Sequence, residues 1–224
     1  KNNYIAIEFL MMKRSGLFVT AFFLTLVVSA QQRPRIGVTL SGGGAKGLAH
    51  IGILKAIDSA GLQVSYVSGT SMGNIIGALY ASGYSADSIE KIARKTDWDI
   101  LLSNAASLSN LSMDEKNEYD KYAAELPWKN NGFRLPSGLL ESEEIWLLLS
   151  QYLFPVYNIN DFSKLPRGFA CIATDVSNGE AVELTSGDLV QAVRSSMAIP
   201  SLFTAVNYNG RKFVDGGIVK NFPV

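Results

Sequence analysis

A G-x-S-x-G sequence at residues 69–73 offers the clearest candidate for covalent chemistry. A serine nucleophile on a strained turn between a strand and a helix needs neighbours without a Cβ atom two positions away on either side, and Gly69 and Gly73 meet that need. Ser71 would also lie at the amino end of the following helix, whose free N–H groups favour developing negative charge. The spacing predicts that Ser71 is a nucleophile; the motif alone also fits an ordinary small-residue turn.

The seven residues 41–47, Ser-Gly-Gly-Gly-Ala-Lys-Gly, predict an anion-binding loop. Consecutive glycines let backbone amides point into one cavity, and the amino end of a following helix adds to them. Such a loop fits an oxyanion hole, and it also fits a phosphate cradle because Gly42, Gly44 and Gly47 satisfy G-x-G-x-x-G. A dinucleotide site needs an acidic residue about 20 positions further on, and residues 64–70 contain none. An oxyanion hole is therefore favoured over nucleotide binding.

The single histidine limits the choice of a general base for Ser71. A Ser-His-Asp hydrolase of the α/β-hydrolase type carries its histidine after the serine, and no histidine follows His50. His50 itself lies within a predicted helix, where a packing role is expected. Asp215 ends a predicted strand and is followed by Gly216 and Gly217, which let its carboxylate approach another loop closely. The sequence therefore predicts that Asp215 accepts the Ser71 proton directly.

Composition excludes several other classes of function. The 224 residues carry 20 Lys and Arg against 20 Asp and Glu, so the chain lacks the basic excess that nucleic-acid binding requires. One cysteine and one histidine exclude a disulfide framework and a Cys/His zinc site, which needs about four such ligands. Cys171 is expected in the core and Asp175 in a structural turn. The chemistry outlined for Ser71 requires no metal and no cofactor.

The elements that must position these residues alternate between strand and helix. Predicted strands cover residues 35–40, 64–67, 169–176, 181–184, 202–208 and 211–214, and predicted helices cover 45–60, 72–82, 86–96, 141–154 and 188–196. This alternation predicts an α/β fold with a mostly parallel sheet covered by helices, with tight turns at Asn178-Gly179 and Asn209-Gly210. Residues 98–136 are interpreted as an insertion or lid. Helix 141–154 is apolar on more than one face, which predicts burial on both sides or, alternatively, a lipid-facing lid.

Residues 1–30 are interpreted as upstream residues followed by a secretory signal peptide that starts at Met11 or Met12, and residues 31–224 form the predicted domain. A basic pair, Lys13-Arg14, precedes the uncharged stretch 17–28, which a small-residue cleavage site at Ala30 follows. That stretch falls short of the roughly 20 residues that a spanning helix requires; a buried or anchoring helix is the alternative. We expect a protein that is exported to the periplasm or outer membrane or secreted, with a domain that is truncated after Val224.

Together these motifs resemble the patatin-like phospholipase family. The glycine loop, the serine motif at 69–73 and the sequence at 215–217 occur in the family's order, and residues 192–200 resemble the block that precedes the aspartate. The resemblance covers residues 36–224. It implies a three-layer α/β/α sandwich around a central sheet. It also implies that a Ser-Asp dyad hydrolyses acyl esters of phospholipids or other lipids at a membrane surface.

The resemblance also implies roles for individual residues. Ser71 is the nucleophile and Asp215 the general base, and the oxyanion hole is made by the backbone amides of Gly42, Gly43 and Gly44, with the last two favoured. Residues that support the motifs are Lys46, Gly47, Gly69, Gly73, Gly216 and Gly217. Similar bacterial proteins with a signal peptide often continue into an outer-membrane β-barrel, which is a hypothesis for sequence beyond Val224. The alternative function is a catalytically silent domain on the same scaffold that binds lipid or acts as a secreted interaction domain.

Overall fold

The computed structural model of the chain describes residues 35–101, 128–129, 132–133, 138–140 and 143–224. The predicted signal peptide and most of the segment 98–136 lie outside the described residues. The strands are β1 Ile36–Leu40, β2 Val64–Gly69, β3 Trp128–Lys129, β4 Gly132–Phe133, β5 Gly138–Leu140, β6 Gly168–Asp175, β7 Ala181–Leu184, β8 Ser201–Phe203, β9 Val206–Tyr208 and β10 Arg211–Asp215. The α-helices are α1 His50–Ser59, α2 Met72–Ala81, α3 Ala86–Lys95, α4 Trp98–Leu101, α5 Glu143–Leu153 and α6 Leu189–Met197.

The main sheet has the strand order β1-β2-β6-β10-β9, and β7 also pairs with β6. Its β1, β2 and β6 strands are parallel, as the alternation of strands and helices predicts. The three remaining pairs are antiparallel. Two of them are the predicted hairpins, with Asn178-Gly179 between β6 and β7 and Asn209-Gly210 between β9 and β10, and the third joins β10 to β6. The α/β fold predicted from the sequence is confirmed.

The pairing along β6 brings two strand ends together. Cys171 on β6 faces Gly69 of β2 on one side and Leu184 of β7 on the other. Ala173, two residues further along β6, faces Asp215 of β10 and also β7. Because β7 occupies one edge of β6 at both positions, β2 and β10 share the opposite edge. They run in opposite directions along that edge, so the residues that follow Gly69 meet Asp215.

The core lies on the faces of this sheet. All eight residues of β6 are buried, as expected for a strand that is covered on both faces. All ten residues of α2 are buried as well, and this helix packs on β2 and β6. The helix that begins after Ser71 is thus the central helix of the fold, and the serine lies at its buried amino end. Among the described residues, no helix combines the length and the apolar character needed to cross a bilayer.

Two predicted helices differ in detail from the structure. The helix predicted at residues 45–60 begins as a 3-10 helix, Gly44–Ala49, and becomes α-helical at His50. Such turns are common at helix amino ends, and its two glycines disfavour α-helical geometry.

The prediction that helix 141–154 is buried on both sides is wrong. Ile145, Leu149 and Leu153 of α5 form one buried stripe. Trp146 and Leu147, on another face, remain 42% and 38% exposed. Residues three and four apart share a helix face, so Trp146 and Leu147 lie off this stripe, while Leu148 and Tyr152 are partly buried against the core.

Candidate active site

Ser71 lies on the turn between β2 and α2 in a backbone conformation that side chains rarely adopt, with φ 53° and ψ −125°. The two glycines of the motif make this turn sterically feasible. A Cβ atom at Gly69 would lie 2.6 Å from the Cα atom of Asn74, and one at Gly73 would collide with the carbonyl oxygen of Leu40. The structure therefore has the strained strand-to-helix turn that the spacing predicts.

The turn is tied to the end of α6. The backbone N–H of Ser71 donates to both the carbonyl oxygen and the hydroxyl oxygen of Ser196, each at 3.2 Å. Ser196 is fully buried. Sequence reasoning assigned it no role, although it lies in the block 192–200 on which the family resemblance partly rests. These contacts fix the serine at the carboxyl end of β2, because α6 itself packs against α2 and β6.

Asp215 is the hydrogen-bond partner of Ser71. The Ser71 hydroxyl donates to Oδ2 of the aspartate at 2.6 Å, and the Gly217 N–H donates to Oδ1 at 2.6 Å. The aspartate backbone is held on both sides, since its N–H donates to the Ala198 carbonyl at 2.8 Å and its carbonyl accepts from the Thr174 hydroxyl at 2.9 Å. The carboxylate is thus oriented by neighbours that do not depend on substrate.

Burial raises the pKa of the Asp215 carboxyl, which is only 6% exposed. The hydrogen bonds from Ser71 and Gly217 act in the opposite direction but do not cancel the effect of burial. A raised pKa makes the carboxylate a stronger base than a solvated aspartate. The pair can therefore move the hydroxyl proton to the carboxylate when the serine oxygen attacks an electrophile. His50 does not join this pair, because its Nε2 contacts the Ser41 carbonyl oxygen at 3.0 Å.

The glycine loop lies beside the serine. The Gly42 N–H donates to the Asn221 carbonyl oxygen at 3.3 Å, so its inclusion among the oxyanion donors is corrected: the amide already has a partner. Gly43 and Gly44 are exposed, and no carbonyl oxygen among the described residues accepts from their amides. Gly44 has a φ of +53°, which favours glycine. The loop thus presents two amides without a carbonyl partner directly after Gly42, where a Cβ atom would lie 3.0 Å from Ser71 Cβ.

The remaining motif residues shape the loops. A Cβ atom at Gly47 would lie 2.6 Å from Cγ of Met72, so this glycine lets the loop pack on the helix that carries the serine. The Lys46 N–H donates to the Gly43 carbonyl at 3.2 Å, which closes the loop, and its side chain is exposed. A Cβ atom at Gly216 would collide with the Ile172 carbonyl oxygen on β6. Gly216 therefore allows the Asp215 turn to approach the sheet.

A model of the patatin-like phospholipase family matches residues 38–224, which is most of the chain and includes all three motifs. The chain belongs to the patatin-like phospholipase family. The patatin-like domain thus begins within β1, immediately before the glycine loop, and contains both members of the Ser71–Asp215 pair.

Relatives of this patatin-like chain include fungal and bacterial proteins. It is 31% identical over 189 residues to the lysophospholipase NTE1 of Yarrowia lipolytica, covering 84% of this chain and 11% of that protein. It is 28% identical over 199 residues to an NTE family protein of Mycobacterium tuberculosis, covering 89% of this chain and 47% of that protein. The chain therefore spans less than half the length of these relatives. VipD from Legionella pneumophila shares the fold, with a TM-score of 0.55 and 19% identity over 86% of this chain and 47% of that one.

Two other candidates in this patatin-like domain have structural roles. Asp175 is buried, accepts hydrogen bonds from the N–H and hydroxyl of Ser177 and pairs with Arg211. The Ser177 hydrogen bonds, and after them Arg211, lower the pKa of this carboxyl, so it joins the two hairpins as a carboxylate. Cys171 is fully buried on β6, and burial raises the pKa of its thiol. Both outcomes agree with the sequence analysis.

Proposed function

We propose that this chain is a serine hydrolase that cleaves acyl esters of phospholipids or related lipids. The observation that carries the proposal is the 2.6 Å hydrogen bond from the Ser71 hydroxyl to the buried Asp215 carboxylate, made at a strained turn beside the glycine loop. Membership of the patatin-like phospholipase family supports a lipid substrate. The lysophospholipase name of the Yarrowia relative supports the same class of substrate.

The reaction runs in two halves on these residues. Ser71 Oγ attacks the ester carbonyl while Asp215 accepts the hydroxyl proton, and the carbonyl oxygen becomes an oxyanion. The free amides of Gly43 and Gly44 donate hydrogen bonds to that oxyanion. The tetrahedral intermediate then expels the alcohol, which takes the proton from Asp215 and leaves an acyl group on Ser71. Water, deprotonated by Asp215, attacks this ester. The second tetrahedral intermediate then releases the fatty acid, and Ser71 Oγ takes the proton back from Asp215.

The surface beside the pair suits a lipid that lies in a membrane surface. Ile218 follows the Asp215 turn and is 57% exposed, and Phe222 follows the segment that contacts the glycine loop and is 56% exposed. Ile199 is exposed next to Ala198, which binds the Asp215 backbone. Exposed apolar side chains that surround a site favour contact with acyl chains over contact with water.

Release of fatty acid from lysophospholipid and phospholipid vesicles tests the proposal. Wild-type protein is compared with Ser71→Ala and with Ser195→Ala, whose buried hydroxyl only donates within α6 to the Gln191 carbonyl. We expect Ser71→Ala to lose at least about 10³-fold in kcat and Ser195→Ala to keep activity. Fatty acid release by folded Ser71→Ala at the wild-type rate would overturn the proposal.

We also propose that a signal peptide within residues 1–30 directs export. The basic pair Lys13-Arg14, the apolar stretch 17–28 and the small residue Ala30 support this proposal. Mass spectrometry of the protein recovered from separated cell fractions tests it. We expect an envelope or secreted form that begins at Gln31, and an intact amino-terminal segment on cytoplasmic protein alone would contradict it.

A further inference from the structure

We infer that Asn221 is a positioning residue for the hydrolysis proposed above: it holds the glycine loop at a fixed distance from the Asp215 turn. The inference rests on that proposed function. Asn221 lies six residues after Asp215, in a segment to which sequence reasoning assigned no role. Three independent sets of contacts support it.

The backbone of this segment joins the glycine loop to the serine turn. The Asn221 carbonyl accepts from the Gly42 N–H at 3.3 Å. The preceding carbonyl, of Lys220, accepts from the hydroxyl of Thr70 at 3.2 Å. Thr70 is fully buried and directly precedes Ser71. One stretch of backbone is therefore bonded to both segments that the reaction uses.

The next residues anchor the same segment on the sheet. Pro223 is buried, and its carbonyl accepts from Ser68 Oγ at 3.0 Å and from Thr39 Oγ1 at 3.4 Å. These two side chains lie opposite each other on β2 and β1. Since strands are the most rigid part of the fold, Asn221 is held by the sheet rather than by the loops that it contacts.

The side chain of Asn221 fills a notch between two glycines. A Cβ atom at Gly42 would lie 2.6 Å from Asn221 Oδ1 and 3.0 Å from Ser71 Cβ. A Cβ atom at Gly217 would lie 3.1 Å from Asn221 Oδ1 and 2.9 Å from Asp215 Oδ1. The carboxamide oxygen thus lies close to both glycines, and a Cβ atom at either of them would also adjoin one member of the pair.

Both glycines adjoin groups that act in the proposed reaction. Gly42 precedes the two free amides of the loop, and the Gly217 N–H holds Asp215 Oδ1 at 2.6 Å. Without the carboxamide the two loops can approach each other, which moves the amides relative to Ser71. Misplacement by about 1 Å is sufficient to reduce a rate by about 10²-fold. Asn221 is exposed, so its side chain contributes little to the buried core.

The first test compares Asn221→Ala with Asn178→Ala, a matched control in the exposed turn between β6 and β7. We expect Asn221→Ala to lower kcat by about 10-fold to 100-fold with little change in KM, because it affects the geometry of the transition state more than substrate binding. Asn178→Ala should retain both constants. Thermal unfolding of Asn221→Ala should follow that of the wild type, whereas Asn178→Ala loses its hydrogen bonds to Glu180 and should unfold at a slightly lower temperature. Loss of kcat in Asn221→Ala alone therefore separates positioning from folding.

The second test places a charge at the same point. Asn221→Asp keeps the size of the side chain and adds a carboxylate beside Asp215, so the acid limb of kcat/KM should move to higher pH. The other charged groups on elements around Asp215 are Arg194 on α6, Asp175 on β6, which pairs with Arg211 of β10, Lys212 on β10, Lys46 of the glycine loop and Lys220 on the segment of Asn221. None of them changes in this variant, and Asn178→Asp, which adds the same charge far from the pair, should leave the limb in place.

The outcomes separate this inference from the function on which it rests. Absence of lipid hydrolysis in wild-type protein would overturn the proposed function and with it the role of Asn221. An active wild type, with wild-type kcat in Asn221→Ala and an unmoved acid limb in Asn221→Asp, would overturn only the positioning role. Loss of kcat in the first variant together with a shifted limb in the second supports it.

Discussion

At the scale of the residue, the proposed reaction depends on a carboxylate that takes the general-base role usually given to imidazole. Asp215 is oriented by the Gly217 amide and buried by the fold, and both conditions are met before any substrate arrives. Burial strengthens it as a base, and the pairing of β2 and β10 with β6 places it 2.6 Å from the serine oxygen. The proton therefore moves along an existing hydrogen bond in the proposed reaction, with no intermediate carrier.

The raised pKa of Asp215 predicts the pH dependence of the reaction. Burial destabilises the ionised carboxyl, so protonation begins at a higher pH than the ordinary value of 3.8. Because the base must be ionised, kcat/KM should fall as pH decreases through this raised pKa. Measurement of kcat/KM on a soluble ester against pH checks this, and an acid limb centred at or below 3.8 would contradict it.

Ser196 provides a second prediction about single residues. Its hydroxyl oxygen accepts from the Ser71 N–H, whereas the hydroxyl of the neighbouring Ser195 bonds only to the Gln191 carbonyl. We expect Ser196→Ala to lower kcat by about 2-fold to 10-fold, the equivalent of one net hydrogen bond, since the Ser196 carbonyl still holds the turn. Ser195→Ala serves as the matched control, and equal rates in the two variants would count against the role of Ser196.

At the scale of the element, the shared edge of β6 brings the pair together. The serine leaves β2 and the aspartate ends β10, and these strands meet end to end on one edge of one strand. Residues 144 positions apart in the chain thereby become hydrogen-bond partners. The turn that carries Ser71 must be tight for this, which places steric demands on its glycines.

Gly73 and Gly52 make a matched pair of predictions about helices. A Cβ atom at Gly73 would collide with the carbonyls of Leu40 and Ser41, whereas one at Gly52, on the exposed side of α1, would meet no atom within 4 Å. We expect Gly73→Ala to abolish hydrolysis and lower the unfolding temperature, and Gly52→Ala to stabilise by up to about 1 kcal/mol through helix propensity. Thermal unfolding and activity assays check both, and tolerance of Gly73→Ala would contradict the tight turn.

Local patterns in the sequence predict most of these elements but not their junctions. The run of apolar residues before Ser41 and the Asn-Gly turns identify β1 and the two hairpins, because each depends on neighbouring residues alone. The shared edge of β6 depends on pairing between distant segments, which no local pattern encodes. The same applies to Ser196 and Asn221: their roles come from contacts at separations of more than 100 residues.

Helix α5 shows that local patterns in the sequence do not determine burial either. Its composition predicts burial on both sides, and the structure buries only the stripe at Ile145, Leu149 and Leu153. Periodicity indicates which residues share a helix face, but it does not indicate how many faces pack against other elements. The proximity of Ser71 and Asp215 could be predicted, because both lie at turns whose glycines indicate a close approach in the sequence itself.

At the scale of the whole molecule, the exposed apolar residues differ in their position relative to the pair. Phe222 lies beside the glycine loop, because it directly follows Asn221, whose carbonyl oxygen accepts a hydrogen bond from the Gly42 N–H. Phe154 is also exposed, and it directly follows α5. Near the end of α5, the carbonyl oxygen of Tyr152 accepts a hydrogen bond from the hydroxyl of Tyr84. Tyr84 follows the carboxyl end of α2, the end opposite to Ser71. The two phenylalanines therefore distinguish the surface around the site from the opposite end of the molecule.

This contrast predicts which surface meets the lipid. Phe222→Asp should reduce hydrolysis of vesicle lipid by about tenfold or more, the equivalent of losing one apolar side chain from the interface, while hydrolysis of a soluble short-chain ester is retained. Phe154→Asp should affect neither. Equal activity of both variants on vesicles would contradict contact between the Phe222 surface and lipid.

Labelling of the full chain with a fluorophosphonate, with mass spectrometry to locate the adduct, tests the central claim most directly. The reagent bonds only to a serine whose hydroxyl is activated as a nucleophile, so it reports on the Ser71–Asp215 pair without a choice of lipid. We predict an adduct on Ser71 in the wild type, none in Ser71→Ala and a much slower reaction in Asp215→Asn. Folded wild-type protein that stays unlabelled, or labelling that is unchanged in Asp215→Asn, would contradict the account.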